Sequence, residues 1–508
     1  MNQVILDGES LSLQDVVNVA HQRFSVSIDA GATERMVRSR EAIENIIAEN
    51  RTVYGVNTGF GKLSNIHISS NDLQELQLNL ILSHACGTGD LLPPPLVRAA
   101  MLLKANALCR GYSGTRPHIA QFLVDMLNRN ILPSIPIKGS VGASGDLAPL
   151  AHMTLVMLGL GEATVDGATL PGQKALARVD MKPITLAAKE GLALLNGTQI
   201  MTAYAVEALT RAMNLAKLAD ISGAITVESL LGTIVAFDKR IQTARGFQDQ
   251  IDVARHLRTM IRDSEINESH KDCGKVQDPY SSRCIPQVHG AVRQALRYVQ
   301  DVLITELNAA TDNPLVFWQD HDVLSGGNFH GQPLSLACDT LAIAIAQLAN
   351  ISERRIENLM DSSQSGLPPF LAPQSGLNSG FMIAQVTAAA LVSENKVLCH
   401  PASVDSIPTS ANQEDFVSMG TFAARKALEV VENAETVIGI ELLAGCQAID
   451  FRQNLSPGAG TSIAHQMIRK HVPTMTHDRL LMTDIEKIQN LIRKNIIVDT
   501  VEAAIGSL

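Results

Sequence analysis

Residues 139–149 read GSVGASGDLAP, a run of small side chains that ends at an aspartate and a proline. A glycine amide is the least hindered backbone nucleophile, so the Gly145 nitrogen could attack the Ala143 carbonyl carbon if the chain were bent sharply. Loss of water then closes a five-membered ring, and loss of water from Ser144 leaves an exocyclic methylidene. Small residues at 142, 143 and 145 tolerate so compressed a turn. The stretch could therefore build an electrophile from the chain itself.

Three familiar glycine-rich motifs do not fit this stretch. A P-loop needs a lysine followed by a hydroxyl residue, and a dinucleotide-binding turn needs the spacing G-x-G-x-x-G. A nucleophile elbow needs a second glycine where Asp146 stands. A mobile turn before a helix remains open as the simplest alternative.

A metal site is a second possibility, because nitrogen and sulfur ligands suit zinc. The spacing of the candidate ligands matches no familiar zinc motif, and Lys271, Asp272 and Arg283 stand between them. We therefore predict no metal. The candidates are His270, Cys273, Cys284 and His289.

The composition favours a helical protein and excludes some partners. The chain has 508 residues, of which 46% are hydrophobic and only 4% aromatic. Its apolar residues are mostly Leu, Ala, Ile, Val and Met, which favour packing of helix on helix. The net charge is −10 and no basic block appears, so neither nucleic acid nor an anionic membrane is an expected partner.

The amino terminus and the cysteines predict a cytoplasmic protein. The start, MNQVILDGESLSLQDVV, carries acids where a secretory signal needs a basic region. The longest uncharged apolar stretch, residues 147–161, falls short of the ~20 residues of a membrane-spanning helix. Seven cysteines without a repeated spacing are typical of a reducing compartment.

The elements that must position the glycine-rich stretch are predicted to be mainly helices. Residues 4–6 are predicted as a short strand, and Ser12 with Asp15 as a capping box. Helices are predicted over 31–50, 71–85 and 94–109, with a loop over 51–66. Asp146 is predicted to cap the helix that follows it, with Pro149 in the tolerant first turn.

The second half of the chain is predicted to form a long-helix bundle. Pro333 opens an apolar pattern of period 3.6 that runs for roughly 23 residues. Helices this long, without heptad charges, bury their faces against one another or against other subunits. Similar segments are 200–238, 290–311, 376–398 and 414–446, and the clearest loops are 366–373 and 399–412.

The longer segment GSVGASGDLAPLAH resembles the signature of the aromatic amino acid ammonia-lyase family, whose Ala-Ser-Gly cyclises to methylidene-imidazolone (MIO). Other blocks agree in order over nearly the whole chain: TVYGVNTGFG (52–61), LILSHACGTGD (80–90), EGLALLNGTQ (190–199), VQDPYSSRCIPQVHG (276–290), ELNAATDNP (306–314), SGGNFHGQP (325–333) and SANQEDFVSMGT (410–421).

The resemblance implies a mainly α fold, a long-helix bundle of the ammonia-lyase or fumarase-like type. It also implies two regions. A smaller N-terminal active-site region over 1–200 would carry Tyr54 and the MIO-forming residues, and 201–508 would be one continuous multi-helix unit. Because the family assembles as a homotetramer with shared active sites, we expect the same here.

The resemblance also assigns catalytic roles. Ser144 would become dehydroalanine within a cross-link between Ala143 and Gly145, with no external cofactor. Tyr54 would be the base that removes the substrate's β-proton, and its phenol needs a lowered pKa to do so near neutrality. Substrate amine addition to MIO and attack by the aromatic ring both remain open.

Further residues would bind the substrate. Arg283 would hold its carboxylate with a bidentate fork. Asn196 and Gln277 would hydrogen-bond the MIO oxygen and the polar groups of the amino acid. Tyr280 would lie nearby, and Phe329 would pack over MIO.

The choice of substrate depends on few residues. The Ser83-His84 pair and Glu414 resemble those of the family's histidine-specific branch, since a polar pair suits an imidazole. The sequence therefore predicts the deamination of L-histidine to urocanate and ammonia, the first step of histidine degradation. Phe416 departs from that branch, which commonly has His there. A phenylalanine or tyrosine ammonia-lyase, or an MIO aminomutase, is the alternative.

Overall fold

The protein is described by a computed structural model that covers residues 2–452 and 454–508. The fold is mainly α, with 60% of the residues in helices and few strands. The predicted fold class is therefore confirmed.

Helices of very different length make up most of the chain. They are α1 (Leu13–Gln22), α2 (Ala30–Ala48), α3 (Leu73–His84), α4 (Pro94–Cys109), α5 (Pro117–Asn128), α6 (Ala148–Met157), α7 (Gly172–Ala177), α8 (Glu190–Leu195), α9 (Gln199–Ser229), α10 (Lys239–Arg245), α11 (Gln248–Met260), α12 (Glu265–Glu268), α13 (Tyr280–Arg283), α14 (Ile285–Glu306), α15 (Gln332–Met360), α16 (Ser362–Ser365), α17 (Met382–Leu398), α18 (Gly420–Phe451), α19 (Ala459–His471), α20 (Leu481–Arg493) and α21 (Ile496–Ile505).

The strands are short and form small sheets at the ends of helices. β1 (Gln3–Leu6) pairs in parallel with β2 (Ser25–Ile28). The other pairings are antiparallel: β3 (Thr88–Leu91) with β5 (Pro136–Lys138), β4 (Leu132–Pro133) with β6 (Glu162–Val165), β6 with β7 (Ala168–Pro171), and β8 (Leu315–Phe317) with β9 (Asp322–Leu324).

The chain forms two compact units. Unit 1 comprises the residues up to Glu207, Gln300–Asp339 and Pro401–Arg425. Unit 2 comprises Ala208–Val299, Thr340–His400 and Lys426–Leu508. The predicted division into regions 1–200 and 201–508 stays a prediction.

The core of unit 2 contains a fully buried ion pair. The Arg355 Nε donates to Glu441 Oε1 at 2.5 Å, and both side chains are inaccessible to solvent. Three hydroxyl groups also donate to this carboxylate, at 2.6–3.0 Å, so its buried charge is well satisfied. Those hydroxyls belong to Ser222, Thr226 and Ser352, so the pair joins α9, α15 and α18.

One helix of the described chain, α15, is long and apolar enough to cross a membrane by length and composition. Its most apolar window is 72% buried within the protein. The helix therefore has the burial of a core helix.

Several local predictions match the structure closely. The helix predicted over 94–109 is α4, which starts at Pro94 and ends at Cys109. Ser12 and Asp15 form the predicted capping box at the start of α1. The helix predicted from Pro333 is α15, which begins one residue earlier and is longer, at 29 residues.

One capping prediction is wrong. The residue that precedes α6 is Leu147, with a positive φ of 50°, and Asp146 does not cap this helix. The Asp146 carboxylate instead accepts hydrogen bonds from the backbone N–H groups of Ile200 and Met201, at 2.6 and 3.3 Å. It therefore caps α9, a helix more than 50 residues further along the chain.

Candidate active site

The Ala143-Ser144-Gly145 turn lies against the segment that precedes α9. Gly197 donates its N–H to the Ser144 carbonyl oxygen at 3.3 Å and accepts from the Asp146 N–H at 2.7 Å. Gly145 has a φ of +79°, and a Cβ there would lie 2.0 Å from the Gly197 carbonyl oxygen. Only glycine fits this position. Within residues 2–452 and 454–508, no acceptor takes a hydrogen bond from the Gly145 N–H.

A second segment holds the other side of the turn. The Ser418 hydroxyl donates to the Gly142 carbonyl oxygen at 3.0 Å, and the Met419 N–H donates to the Val141 carbonyl oxygen at 2.8 Å. A Cβ on Gly142 would lie 2.2 Å from the Ser418 hydroxyl. The turn is therefore compressed between two backbone segments, with glycine at both points of contact.

The buried Asp146 carboxylate follows the turn. Besides its two bonds to the start of α9, it accepts from the Thr421 hydroxyl at 3.0 Å. Burial raises the pKa of Asp146 to about 7, although these hydrogen bonds and the Lys104 ammonium act in the opposite direction. Asp146 thus links the turn to α9 and to the start of α18.

Ser144 opens into a cavity of about 640 Å³ within unit 1. Six of the residues assigned to the site from the sequence line it: Tyr54, His84, Ser144, Asn196, Phe329 and Glu414. Ala143, Gly145 and Ser83 line a smaller adjoining cavity of about 230 Å³, together with His84 and Glu414. The structure therefore brings nine of the predicted site residues together.

The Glu414 carboxylate lies beside Ser144. Its Oε1 accepts from the Ser144 hydroxyl at 3.4 Å, and its Oε2 accepts from the Thr409 hydroxyl at 2.8 Å. Thr409 and Glu414 also form an isolated antiparallel bridge through their backbones. Between them the chain turns through Ser410, Ala411 and Asn412, all with positive φ. Thr409 is therefore the closer of the two donors that orient this carboxylate.

His84 ends α3 and is half-buried at the cavity wall. Its Nδ1 lies 2.8 Å from the Leu80 carbonyl oxygen, so Nδ1 carries the proton, and Nε2 is left to accept a hydrogen bond. Burial lowers the pKa of His84, while the Leu80 carbonyl and the Glu414 carboxylate partly oppose that shift. The exposed Ser83 contacts the Leu80 carbonyl oxygen and His84 Nδ1 at 3.1 Å each. Ser83 thus lines the smaller cavity and also contacts His84.

The Tyr54 phenol faces the cavity from the loop that precedes α3. Its oxygen accepts from the Gly61 N–H at 3.5 Å. Burial raises the pKa of Tyr54, and the Glu414 carboxylate raises it further, whereas the Gly61 hydrogen bond lowers it. Among the described residues that line the cavity there is no lysine or arginine. The lowered pKa that a base role requires is therefore not provided by this cavity lining.

Asn196 is 3% exposed and is fixed by its neighbours. Its side-chain amide donates to the Asn313 carbonyl oxygen at 2.8 Å and to Asp312 Oδ1 at 3.2 Å. Phe329 lies in the loop between β9 and α15 and is half-buried. Both residues reach the cavity from segments that are distant in sequence.

Three predicted site residues lie elsewhere. Gln277, Tyr280 and Arg283 belong to unit 2 and are not among the residues that line this cavity. Tyr280 is 72% exposed, and the Arg283 guanidinium lies over its ring, 4.4 Å from the centroid. The Arg283 Nε donates to the Asp278 carbonyl oxygen at 3.1 Å.

The four residues considered as metal ligands also lie in unit 2, and both histidines are engaged. His289 Nδ1 lies 2.7 Å from Asp220 Oδ1. His270 Nδ1 and Nε2 contact the carbonyl oxygens of Ile266 and Gly232 at 2.8 and 3.2 Å.

Phe416, which departs from the histidine-specific pattern, is 62% exposed. Its ring stacks on His330, with centroids 6.0 Å apart and planes 10° from parallel. His330 Nε2 also lies 3.2 Å from the Phe416 carbonyl oxygen.

Sequence reasoning missed two polar residues near the site. The contact of Thr409 with Glu414 could not be predicted from the sequence, because the irregular loop between the two residues follows no local pattern. Lys104 offered one, since it is a single charge within the apolar helix sequence MLLKANALC. A lysine there requires a buried partner.

Proteins of known class resemble this chain over nearly its whole length. A histidine ammonia-lyase from Anaeromyxobacter sp. (strain K) is 54% identical over 501 residues, 97% of this chain and 99% of that protein. The crystal structure of histidine ammonia-lyase from Trypanosoma cruzi matches with a TM-score of 0.92 and 44% identity, over 99% of this chain and 96% of that one. A tyrosine aminomutase from Streptomyces globisporus matches with a TM-score of 0.93 and 35% identity, over 99% of each chain.

The fold and these relatives define a carbon–nitrogen lyase. Residues 11–470 match the sequence profile described as aromatic amino acid lyase. The chain belongs to the aromatic amino acid lyase family.

Proposed function

We propose that this protein removes ammonia from L-histidine without oxidation and releases urocanate. The observation that carries the proposal is the meeting of Ser144, Tyr54, His84 and Glu414 in one cavity. The tyrosine aminomutase and the histidine ammonia-lyase match this fold equally well, so the fold alone does not choose between them. The choice is supported by the polar wall of His84 and Glu414, and by relatives that are histidine ammonia-lyases at about 50% identity.

The residues of the turn fit the self-formed MIO group. Gly145 is held where no side chain is tolerated, and its N–H is free of competing acceptors in the described chain. The Ser144 hydroxyl faces the cavity that would receive the substrate. Once formed, the group would supply an electrophile for the amino group of the substrate.

The other cavity residues would bind and orient the substrate. Glu414 would accept a hydrogen bond from the imidazole N–H, and His84 Nε2 would accept one from the second N–H when the imidazole is protonated. Tyr54 would take the β-proton, with its phenolic oxygen as the acceptor. Asn196 would hold the polar groups near the turn, and Phe329 would pack over it.

We also infer that the working enzyme is a homotetramer whose active sites combine several chains. The described residues that line the cavity include Glu414 but no lysine or arginine, and the substrate's carboxylate needs a cation. The exposed Tyr280 and the half-buried Arg283, with Gln277 nearby in sequence, would reach this cavity from another copy. Seven free cysteines fit a cytoplasmic location.

Ultraviolet absorbance during incubation with L-histidine tests the reaction and the substrate together. Growth of the conjugated urocanate band is expected with histidine, and little product with phenylalanine or tyrosine. A β-amino acid product without the band would instead identify an aminomutase. The intact mass should be two waters below the encoded mass, and Ser144→Ala should fold yet lose both the deficit and nearly all activity.

Mixing two inactive variants tests the shared sites. Tyr54→Phe and Arg283→Ala, expressed together, should form hybrid tetramers in which some sites contain neither change. Recovery of part of the activity is expected. No recovery in mixed tetramers would contradict an active site built from several chains.

A further inference from the structure

Lys104 lies on the buried face of α4, beneath the segment that contacts the Ala143-Ser144-Gly145 turn. Its side chain is 2% exposed. The ammonium donates to the Asn196 carbonyl oxygen, and to the Gln199 side-chain oxygen at 3.3 Å. Lys104 therefore holds both ends of the segment Asn196-Gly197-Thr198-Gln199.

The same peptide group links Lys104 to the turn. The Asn196 carbonyl and the Gly197 N–H belong to one peptide, and that N–H donates to the Ser144 carbonyl oxygen at 3.3 Å. A charged donor on the carbonyl polarises the peptide and makes its N–H a stronger donor. The charge of Lys104 is thus transmitted to Ser144 through a single peptide bond.

The ammonium is retained at neutral pH. Burial lowers the pKa of Lys104 to about 8, and the carboxylates of Asp312 and Asp146 oppose that shift. The side chain is therefore mainly charged at pH 7, in surroundings where an unused charge would be costly.

We propose that Lys104 is a positioning residue for ring closure at Ala143-Ser144-Gly145. Its ammonium holds and polarises the Asn196–Gly197 peptide, which keeps the Ser144 carbonyl fixed and the Gly145 nitrogen within reach of the Ala143 carbonyl carbon. The proposal rests on the proposed function, because it requires that the ring forms.

The atoms of the closure balance. A bond forms between the Gly145 nitrogen and the Ala143 carbonyl carbon, whose oxygen leaves as water with the amide hydrogens of Gly145 and Ser144. A second water forms from the Ser144 hydroxyl and its Cα hydrogen. The Ser144 carbonyl oxygen remains on the ring, and it is the atom to which the polarised Gly197 N–H donates.

Intact-mass measurement of folded protein tests this role without relying on activity. The variants are Lys104→Met, which keeps much of the volume, and Lys104→Gln, which keeps a neutral donor. Lys426→Met is the matched control, because Lys426 is 1% exposed and donates to the carbonyl oxygens of Leu398 and His400 at 3.0 and 2.7 Å. Gel filtration isolates the folded fraction of each protein, and circular dichroism checks its helix content.

We expect wild type and Lys426→Met to carry the two-water deficit, and both Lys104 variants to lose most of it while folded. A folded Lys104 variant with the full deficit would overturn the proposal. So would loss of the deficit in Lys426→Met, or failure of both Lys104 variants to fold beside a folded control. Wild type without the deficit would overturn the proposed function instead.

Discussion

Glu414→Gln should strongly reduce the preference for histidine over phenylalanine and should change the stability of the fold little. The change keeps the shape of the side chain but removes its charge and replaces one acceptor oxygen with a donor. In the structure the carboxylate has a close donor in Thr409, at 2.8 Å, and a weaker one in Ser144, at 3.4 Å. Glu414 therefore retains accepting capacity for an imidazole N–H, which a phenyl ring cannot use.

The size of the effect follows from the hydrogen bonds. A bond to a charged group contributes about 1.5–3 kcal/mol and a neutral one about 0.5–1.5 kcal/mol, and a misplaced amide leaves a polar group unsatisfied at about 1–3 kcal/mol. The ratio of kcat/KM for histidine to that for phenylalanine should thus fall roughly tenfold to a hundredfold. The assay is this ratio, measured with both substrates on wild type and variant.

Two controls separate recognition from general damage. Thr409→Val leaves the charge but removes its 2.8 Å donor, so it should lower the ratio by a smaller factor, and Thr409→Ser should restore it. Ser83→Ala removes the hydroxyl contacts to Leu80 and His84 without changing the charge of the cavity, and it should change the ratio little. An unchanged ratio in Glu414→Gln, or equal losses with both substrates, would contradict the role of Glu414 in recognising histidine. Phe416 would then be the next residue to test.

Other expectations concern the same cavity. Tyr54→Phe should keep the two-water mass deficit while turnover falls roughly 10²–10⁴-fold, and activity within about tenfold of wild type would remove Tyr54 from the base role. Glu414→Gln should lower the pKa of both Tyr54 and His84, because the carboxylate raises each of them. Spectrophotometric titration, with Tyr54→Phe as the reference, measures the shift of Tyr54, and NMR titration measures that of His84. A rise in either pKa would contradict the effect assigned to the Glu414 carboxylate. Ser83→Phe combined with His84→Leu should shift preference toward phenylalanine, whereas a proportional loss with both substrates would assign the pair to packing.

Local sequence patterns predicted the longest helices. α4 could be placed by its prolines and its apolar length, and α1 by the Ser12 and Asp15 capping box. These signals act between residues a few positions apart, where backbone hydrogen bonding and capping are decided. That is why their bounds were predictable.

Interactions between distant segments were not predictable in the same way. Asp146 has the position of a cap for α6, but its carboxylate binds the start of α9, because the turn brings it to the free N–H groups there. Thr409 and Lys104 likewise act on residues that only the fold brings close. The nine predicted residues that line the two cavities all lie in the quoted motifs, whereas Thr409 and Lys104 lie outside those motifs.

The charges that line the cavity indicate which group a single copy of the chain would lack in the proposed reaction. An amino acid brings a carboxylate, and among the described residues that line the cavity the one formal charge is that of Glu414. A tyrosine base near neutrality needs a positive neighbour, yet burial and Glu414 both raise the pKa of Tyr54. A single guanidinium at the cavity would serve both needs, since it would pair with the carboxylate and favour the phenolate. Arg283, stacked on the exposed Tyr280, has the chemistry for that position, and its supply by another copy would make assembly a condition of catalysis.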